Sequence, residues 1–299
     1  MIRVVEAGLH ATVQDAGRVR HLRAGVPTAG PADRIAHALA NALVGNAPGD
    51  AAIEMVGLPF AFVAESPLLV AVTGRDVRLV ARDAVPGWTC VFLRTGDEAR
   101  VTGRARYAYL AVGGGIDTGV DLGSRASYPA GSLGAPPLAA GARLAVRTSR
   151  FDASRAGLTA TVPPYAAERV RVIVGPHEDR VDAHAFLAGT YMVDERSDRM
   201  GVRLRGARVD SSDAELVTTG MVEGAIQIPR GGDPIVLLAD HQTTGGYPVV
   251  ATVIAADLPL IAQRQVGEIV RFVPTTDAEA VDALQRVRRE AFALRVSID

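Results

Sequence analysis

A mainly β protein with minor helix, organised as two domains, is what this sequence predicts. Short apolar stretches recur between clusters of turn-forming residues in both halves, and many short strands at such spacing indicate a barrel or a sandwich. The 299 residues suit two domains at about 100–200 residues each. Both halves also share one order: strands, glycine-rich loops and a short helix.

The opening reads as a strand and then a long loop. Residues 14–31 hold Gly17, Gly25, Pro27, Gly30 and Pro31, a dense run of turn formers. A helix follows. Pro31 suits its first turn, Asp33 favours its N-terminal dipole and Gly45 suits its stop. Ile35, Leu39 and Leu43 fall four apart, so this helix packs on a core. From Ala51 to Val112 the pattern is short strands. Phe60 with Phe62, Val77 with Leu79, and Tyr107, Tyr109 and Ala111 alternate, while residues 68–72 form a buried run. Turns are expected at 84–87 and 95–97. Residues 113–141 read as an ordered loop and 149–164 as a linker.

In the second half, Val170, Val172 and Val174 alternate as a strand. A short helix is expected at 181–188. Further strands are expected near 191–193, 202–204, 226–228, 235–238 and 269–273. The last element is a helix: Thr276 and Glu279 have capping-box spacing, and Val281, Leu284, Val287 and Ala291 form its apolar stripe.

Composition narrows the chemistry. Net charge is −1, from 32 basic and 33 acidic residues. No excess favours nucleic acid or an anionic membrane. The longest apolar stretches, 234–239 and 249–256, are far shorter than a bilayer span. The start carries no basic-then-apolar leader, and Cys90 is the one cysteine. A reduced, cytoplasmic setting is expected, without an internal disulfide. All 32 basic residues are Arg. Without Lys the chain cannot supply a Walker A lysine, a Schiff base or a biotin attachment point.

Gly113-Gly114-Gly115 follows a strand but lacks Gly-Lys-Ser/Thr, so it reads as a tight turn. His177 and His184 have no third ligand at sensible spacing, so no metal site is expected. Ser124-Arg125 either holds a carboxylate or phosphate by a two-pronged bond or makes a surface ion pair. Ser197-Asp198-Arg199-Met200-Gly201 either points three polar groups into a cleft or is a self-satisfied turn. The richest stretch is residues 240–248. Asp240, His241, Gln242, Thr243 and Thr244 supply an acid, an imidazole, an amide and two hydroxyls. Gly245 and Gly246 let backbone approach a ligand, and Tyr247 can wall a pocket.

Thr12-Val13-Gln14-Asp15-Ala16-Gly17-Arg18 followed by Gly25-Val26-Pro27 resembles the opening of the allophanate hydrolase subunit 2 family. That family is also called the biotin-dependent carboxyltransferase domain family, or the C subunit of bacterial 5-oxoprolinase. Residues 109–116 with Leu122-Gly123-Ser124-Arg125, then 197–201, 224–227 and 242–248, carry the same resemblance, which runs from about Ile2 to Val273. It implies two cyclophilin-like β-barrel domains in tandem: residues 1–150, then 165–275, with a helix at 276–299. It implies an obligate subunit 1 partner. One branch joins a further LamB/YcsF-like subunit to hydrolyse 5-oxo-L-proline to glutamate with ATP. A second transfers a carboxyl group from biotin, carried on another protein, to urea. A third is a non-catalytic antagonist of a histidine-kinase inhibitor. The first branch is the expected one. Its site is expected to use Arg199, Asp198, Asp240 and His241 in catalysis. Ser197, Gln227, Gln242, Thr243, Thr244, Gly245, Gly246 and Tyr247 would hold the small amide. Gln14, Asp15, Ser124 and Arg125 form a second candidate site. The sequence departs from the family pattern at His241, where Arg is expected, and at Arg20, where Gly is usual. Gly30-Pro31-Ala32 also replaces a Gly-Ala-Met pattern.

Overall fold

The structure, a computed structural model, describes residues 1–147, 152–211, 216–291, 293 and 295–296. Its contacts divide the chain into two compact units. One comprises Met1–Arg18, Ala29–Pro163 and Arg289–Asp299; the other comprises Val19–Thr28 and Pro164–Arg288.

The first unit is built from β1 (Ile2–Glu6), β2 (His10–Gln14), α1 (Arg34–Val44), β3 (Ala52–Val56), β4 (Phe60–Ala64), β5 (Leu68–Thr73), β6 (Val77–Val80), β7 (Ala84–Pro86), β8 (Cys90–Leu93), β9 (Glu98–Gly103), β10 (Ala108–Val112), β11 (Ile116–Asp117), β12 (Arg143–Val146) and β13 (Leu158–Thr159). One sheet runs β11-β12-β1-β4-β9-β6-β7 and the other β2-β3-β10-β5-β8. Their apolar faces share one core, with Val4, Phe60, Phe62 and Val101 from the first and Val13, Ile53, Val72 and Leu110 from the second. Every residue of β5 and β10 is buried, because α1 packs on these two strands. Buried on both faces, β5 reads as the continuous apolar run that the sequence shows, whereas β10, expected to alternate at Tyr109 and Ala111, is buried on both faces as well.

Helix α1 starts where Asp33 accepts from the amides of Ile35 and Ala36, and stops at Gly45 with φ +85°. Asp33 is thus the cap itself, and Pro31 precedes the helix rather than filling its first turn. The turn expected at 84–87 is mostly strand β7. The loop expected at 113–141 contains β11, and the described part of the expected linker contains β13.

The second unit holds β14 (Arg169–Val174), α2 (Ala183–Ala188), β15 (Tyr191–Val193), β16 (Gly201–Gly206), β17 (Thr219–Gly220), β18 (Ala225–Gln227), β19 (Ile235–Leu237), β20 (Thr244–Gly245), β21 (Val249–Val253), α3 (Leu258–Ala262), β22 (Ile269–Pro274) and α4 (Asp277–Ala291). Seven strands close a barrel in the order β14-β21-β18-β19-β16-β15-β22, while β17 and β20 form a separate ribbon. Closure removes open sheet edges. Phe186 of α2 stacks on Phe272 of β22 at 4.9 Å. Arg20, grouped with this unit, stands at φ +76°, in the left-handed region where a glycine sits without strain.

The capping box of α4 is formed: Thr276 N donates to Glu279 Oε2 at 3.0 Å, and Glu279 N donates to Thr276 Oγ1 at 3.3 Å. The packed stripe is Ala280, Ala283 and Val287 against Ile173, Ile254 and Ala256. Val281 is 56% exposed, one position off the contacting face, and the side chain of Ala291 lies outside the described residues. The strand β23 (Arg295–Val296) pairs with β13. Among the described residues, no helix is long and apolar enough to cross a membrane.

Candidate functional site

Strand β19 enters the barrel wall and leaves it at a buried run, Leu238-Ala239-Asp240-His241. Main-chain bonds tie this run to the turn before β16. Leu238 N donates to Met200 O, and Asp240 N donates to Arg199 O, both at 3.0 Å. The two polar motifs, 41 residues apart, thereby meet. Arg199 Nε donates to Asp240 Oδ2 at 2.8 Å and Nη2 to Oδ1 at 2.9 Å. The side chains are 12% and 9% exposed. This is a two-pronged, nearly buried pair, a geometry that fixes orientation as well as charge.

The neighbours of Arg199 do not share that space. Asp198 Oδ1 accepts from the amides of Met200 and Gly201 at 2.8 and 3.2 Å. Ser197 Oγ donates to Asp194 O at 2.6 Å and accepts from Arg203 N at 3.0 Å. Of the three side chains expected to face one cleft, two are therefore spent on the turn, and Arg199 alone crosses to residue 240. Hydrogen bonds from Arg196, with Arg205 alongside, hold the buried carboxyl of Asp194 down at about 2. Sequence reading does not single out Asp194; it stands opposite Arg203 and directly follows β15.

His241 is buried, and its Nδ1 lies 2.7 Å from Gln242 O. A carbonyl only accepts, so Nδ1 carries the proton and Nε2 is the acceptor of the neutral ring. Next comes a chain of amides. Gln242 Nε2 donates to Gln227 Oε1 at 2.8 Å, and Gln227 Nε2 donates to Met221 Sδ at 3.3 Å. Met221 is anchored in turn by its own amide, which donates to Thr243 O at 2.9 Å. Met221 also escapes the sequence reading, because nothing in its periodicity separates it from a core residue.

Gly245 and Gly246 were expected to offer backbone freedom, yet neither has φ in the left-handed region. Gly245 is required by closeness. A Cβ there would stand 2.7 Å from Gln227 Nε2 and 3.2 Å from Met221 Sδ. Gly246, Thr244 and Tyr247 are exposed, Tyr247 by 49%. The structure thus gives Arg199 and Gln242 different partners, Asp240 and Gln227.

Of the second candidate set, in the first unit, Asp15, Ser124 and Arg125 bond to one another, while Gln14 bonds elsewhere. Asp15 accepts from Gly17 N at 2.9 Å, Ser124 Oγ at 2.5 Å and Arg125 N at 2.6 Å. The Arg125 guanidinium is paired with Asp117 at 2.8 Å, as the ion-pair reading expected. Gln14 is fully buried, and its Nε2 donates to Thr12 Oγ1 and Ser127 O, each at 3.0 Å. These contacts fasten one loop to another. The amides of the Gly113–Gly115 turn are likewise spent: Gly113 N on Leu69 O, Gly114 N on Asn46 Oδ1 and Gly115 N on Val112 O. His177 Nδ1 accepts from Val249 N at 3.1 Å.

His37, on α1, donates from Nε2 to Gln14 O at 3.0 Å. Burial pushes its pKa down to about 4 from 6.5. The unfolded chain takes up this proton near 6.5 and the folded chain only near 4. The stability held above pH 6.5 is therefore lost as pH falls through that window, by roughly 3 kcal/mol. A side-chain NMR titration should show His37 neutral down to about pH 5; a midpoint near 6.5 would refute the assignment.

Comparison with known proteins places this geometry in context. The family model "carboxyltransferase domain, subdomain A and B" matches residues 24–274, ending just before α4. The chain is 33% identical to the C subunit of 5-oxoprolinase from Escherichia coli, over 97% of this chain and 96% of that one. It is 29% identical to urea amidolyase of Saccharomyces cerevisiae, over 91% of this chain but 16% of that one. Among solved structures, the K. lactis urea amidolyase superposes with a TM-score of 0.88 at 25% identity, covering 100% of this chain and 20% of that one. TTHA0988 superposes at 0.83 with 32% identity; the match covers 91% of this chain and spans about half of that one, 56%.

Proposed function

The chain belongs to the carboxyltransferase-domain family, and from that premise we propose that it is the C subunit of an ATP-dependent 5-oxoprolinase. In this reading it hydrolyses 5-oxo-L-proline to L-glutamate only together with a subunit 1 partner and a LamB/YcsF-like third subunit. The observation that carries the reading is the nearly end-to-end match to the Escherichia coli protein, at 33% identity.

Its own residues suit the handling of a small amide. Gln242, held by Gln227, offers an amide edge that matches a lactam. The Arg199–Asp240 pair holds the start of the 240–248 loop in register. His241, protonated at Nδ1, presents Nε2 as a proton acceptor. Thr243, Thr244 and the backbone of Gly245 and Gly246 border the same loop, with Tyr247 at its open side. Holding the reactants in one geometry is the main contribution asked of this chain.

ATP does not fit the glycine turn of this chain. All three amides at Gly113–Gly115 are already bonded, and no Lys is present to meet a phosphate. The Gly113–Gly115 turn is therefore not proposed as a nucleotide site, and no step on this chain is routed through ATP.

A second reading has its own observation. The match to urea amidolyase, over 91% of this chain, favours a carboxyltransferase component of a urea carboxylase-type system. Biotin would then be carried on another protein.

One assay separates these readings. The purified chain should release no glutamate from 5-oxoproline and ATP, and activity should appear on adding the partner subunits. Full turnover by the single chain would defeat the subunit reading. Carboxylation of urea with a biotinylated partner, and no glutamate release, would select the second.

A further inference from the structure

The amides of Gln227 and Gln242 are linked in a direction, and one sulfur sets that direction. Met221 Sδ is an acceptor with no proton to give. It faces Gln227 at 3.3 Å, so Gln227 must turn its NH₂ toward the sulfur. Gln227 Oε1 then faces Gln242 at 2.8 Å, so Gln242 must turn its NH₂ toward Gln227. Each step removes the flip freedom that an amide otherwise has. Gln242 Oε1 is left as the outward end. It has no hydrogen-bond partner among the described residues and is not among the buried unpartnered atoms. Gln242 itself is half-buried. Gly245 keeps the relay compact, since a Cβ there would strike Gln227 Nε2.

We propose that this relay makes Gln242 Oε1 a fixed acceptor that selects ligands bearing an N–H, such as a lactam, over isosteric esters or lactones. Gln242 is the reading residue, and Gln227 and Met221 are positioning residues. The inference rests on the reading of the 240–248 loop as the amide site. A freely rotating Gln242 would offer NH₂ or C=O as needed and discriminate little. A locked one leaves two acceptors facing each other when a ring oxygen replaces the ring N–H. An unmatched polar contact of this kind weakens binding roughly tenfold or more.

The test has two parts. In the reconstituted complex, the five-membered lactone carrying the same carboxylate is used as a competitor of 5-oxo-L-proline. The lactone should bind at least about tenfold more weakly than the lactam. Met221→Leu, which keeps volume but removes the acceptor, should bring that ratio close to one. Equal binding of both by the wild-type complex, or an unchanged ratio in Met221→Leu, would overturn the proposal. If the complex shows no turnover of 5-oxoproline at all, it is the proposed function that fails, and the second part still decides the relay. Side-chain amide hydrogen exchange in the isotope-labelled full chain, without ligand, should show protected protons on both Gln227 and Gln242. Fast exchange at both in the wild type would overturn the relay without any variant.

Discussion

Arg199→Ala is expected to destabilise the second unit by about 3–5 kcal/mol, because it strands the buried Asp240 carboxylate. The pair is two-pronged and both side chains are nearly enclosed. The double variant Arg199→Met with Asp240→Leu buries no lone charge and should regain most of that stability. Turnover in the complex should stay low in both, since the pair anchors the loop that carries His241 and Gln242. Chemical denaturation of the single chain checks the first claim. An Arg199→Ala variant as stable as wild type would show that the pair is not what holds the loop. The sequence leads one to expect Arg199 in catalysis, whereas its Nε and Nη2 are already committed to Asp240.

Asp15→Ala should cost the first unit about 3 kcal/mol, from the loss of charge-assisted bonds to one carboxylate. Gly17 N, Ser124 Oγ and Arg125 N all converge there. The loop around Ser124 should then become more protease-sensitive, while Asp15→Asn should keep part of the effect. Limited proteolysis with equilibrium unfolding reads both. Unchanged stability in Asp15→Ala would mean that these contacts only accompany the loop's conformation.

Much of the architecture is legible in the sequence, for physical reasons. Helix α1 is bracketed by Asp33 and Gly45, a cap and a left-handed stop, both local devices. The capping box at Thr276 and Glu279 is as local and shows in spacing alone. Strand β15 lies where its apolar residues place it, at 191–193. The short strands β7, β11 and β13 read instead as turn, loop or linker. They have two or three residues each, too few to show a period; β7 is defined by a hairpin with β6, and β11 and β13 by pairing with strands further along the chain. The candidate loop at 240–248 is recognisable from its polar residues behind an apolar run. Its inner wiring is not. That Arg199 ends on Asp240, and Gln242 on Gln227 and then Met221, depends on contacts across the barrel wall that no spacing encodes. The reason for Gly245 is also hidden, because a close approach and a positive φ leave the same residue in the sequence.

Strand β1 lies in the interior of its sheet, between β12 and β4. Ile2 is opposite Ala64 on one side and Leu144 on the other. A ribosome delivers the first neighbour early and the second only after Val146 has been made. Until then β1 presents one bare row of amides and carbonyls. Whatever chaperone or neighbouring chain meets the nascent protein competes with β12 for that row.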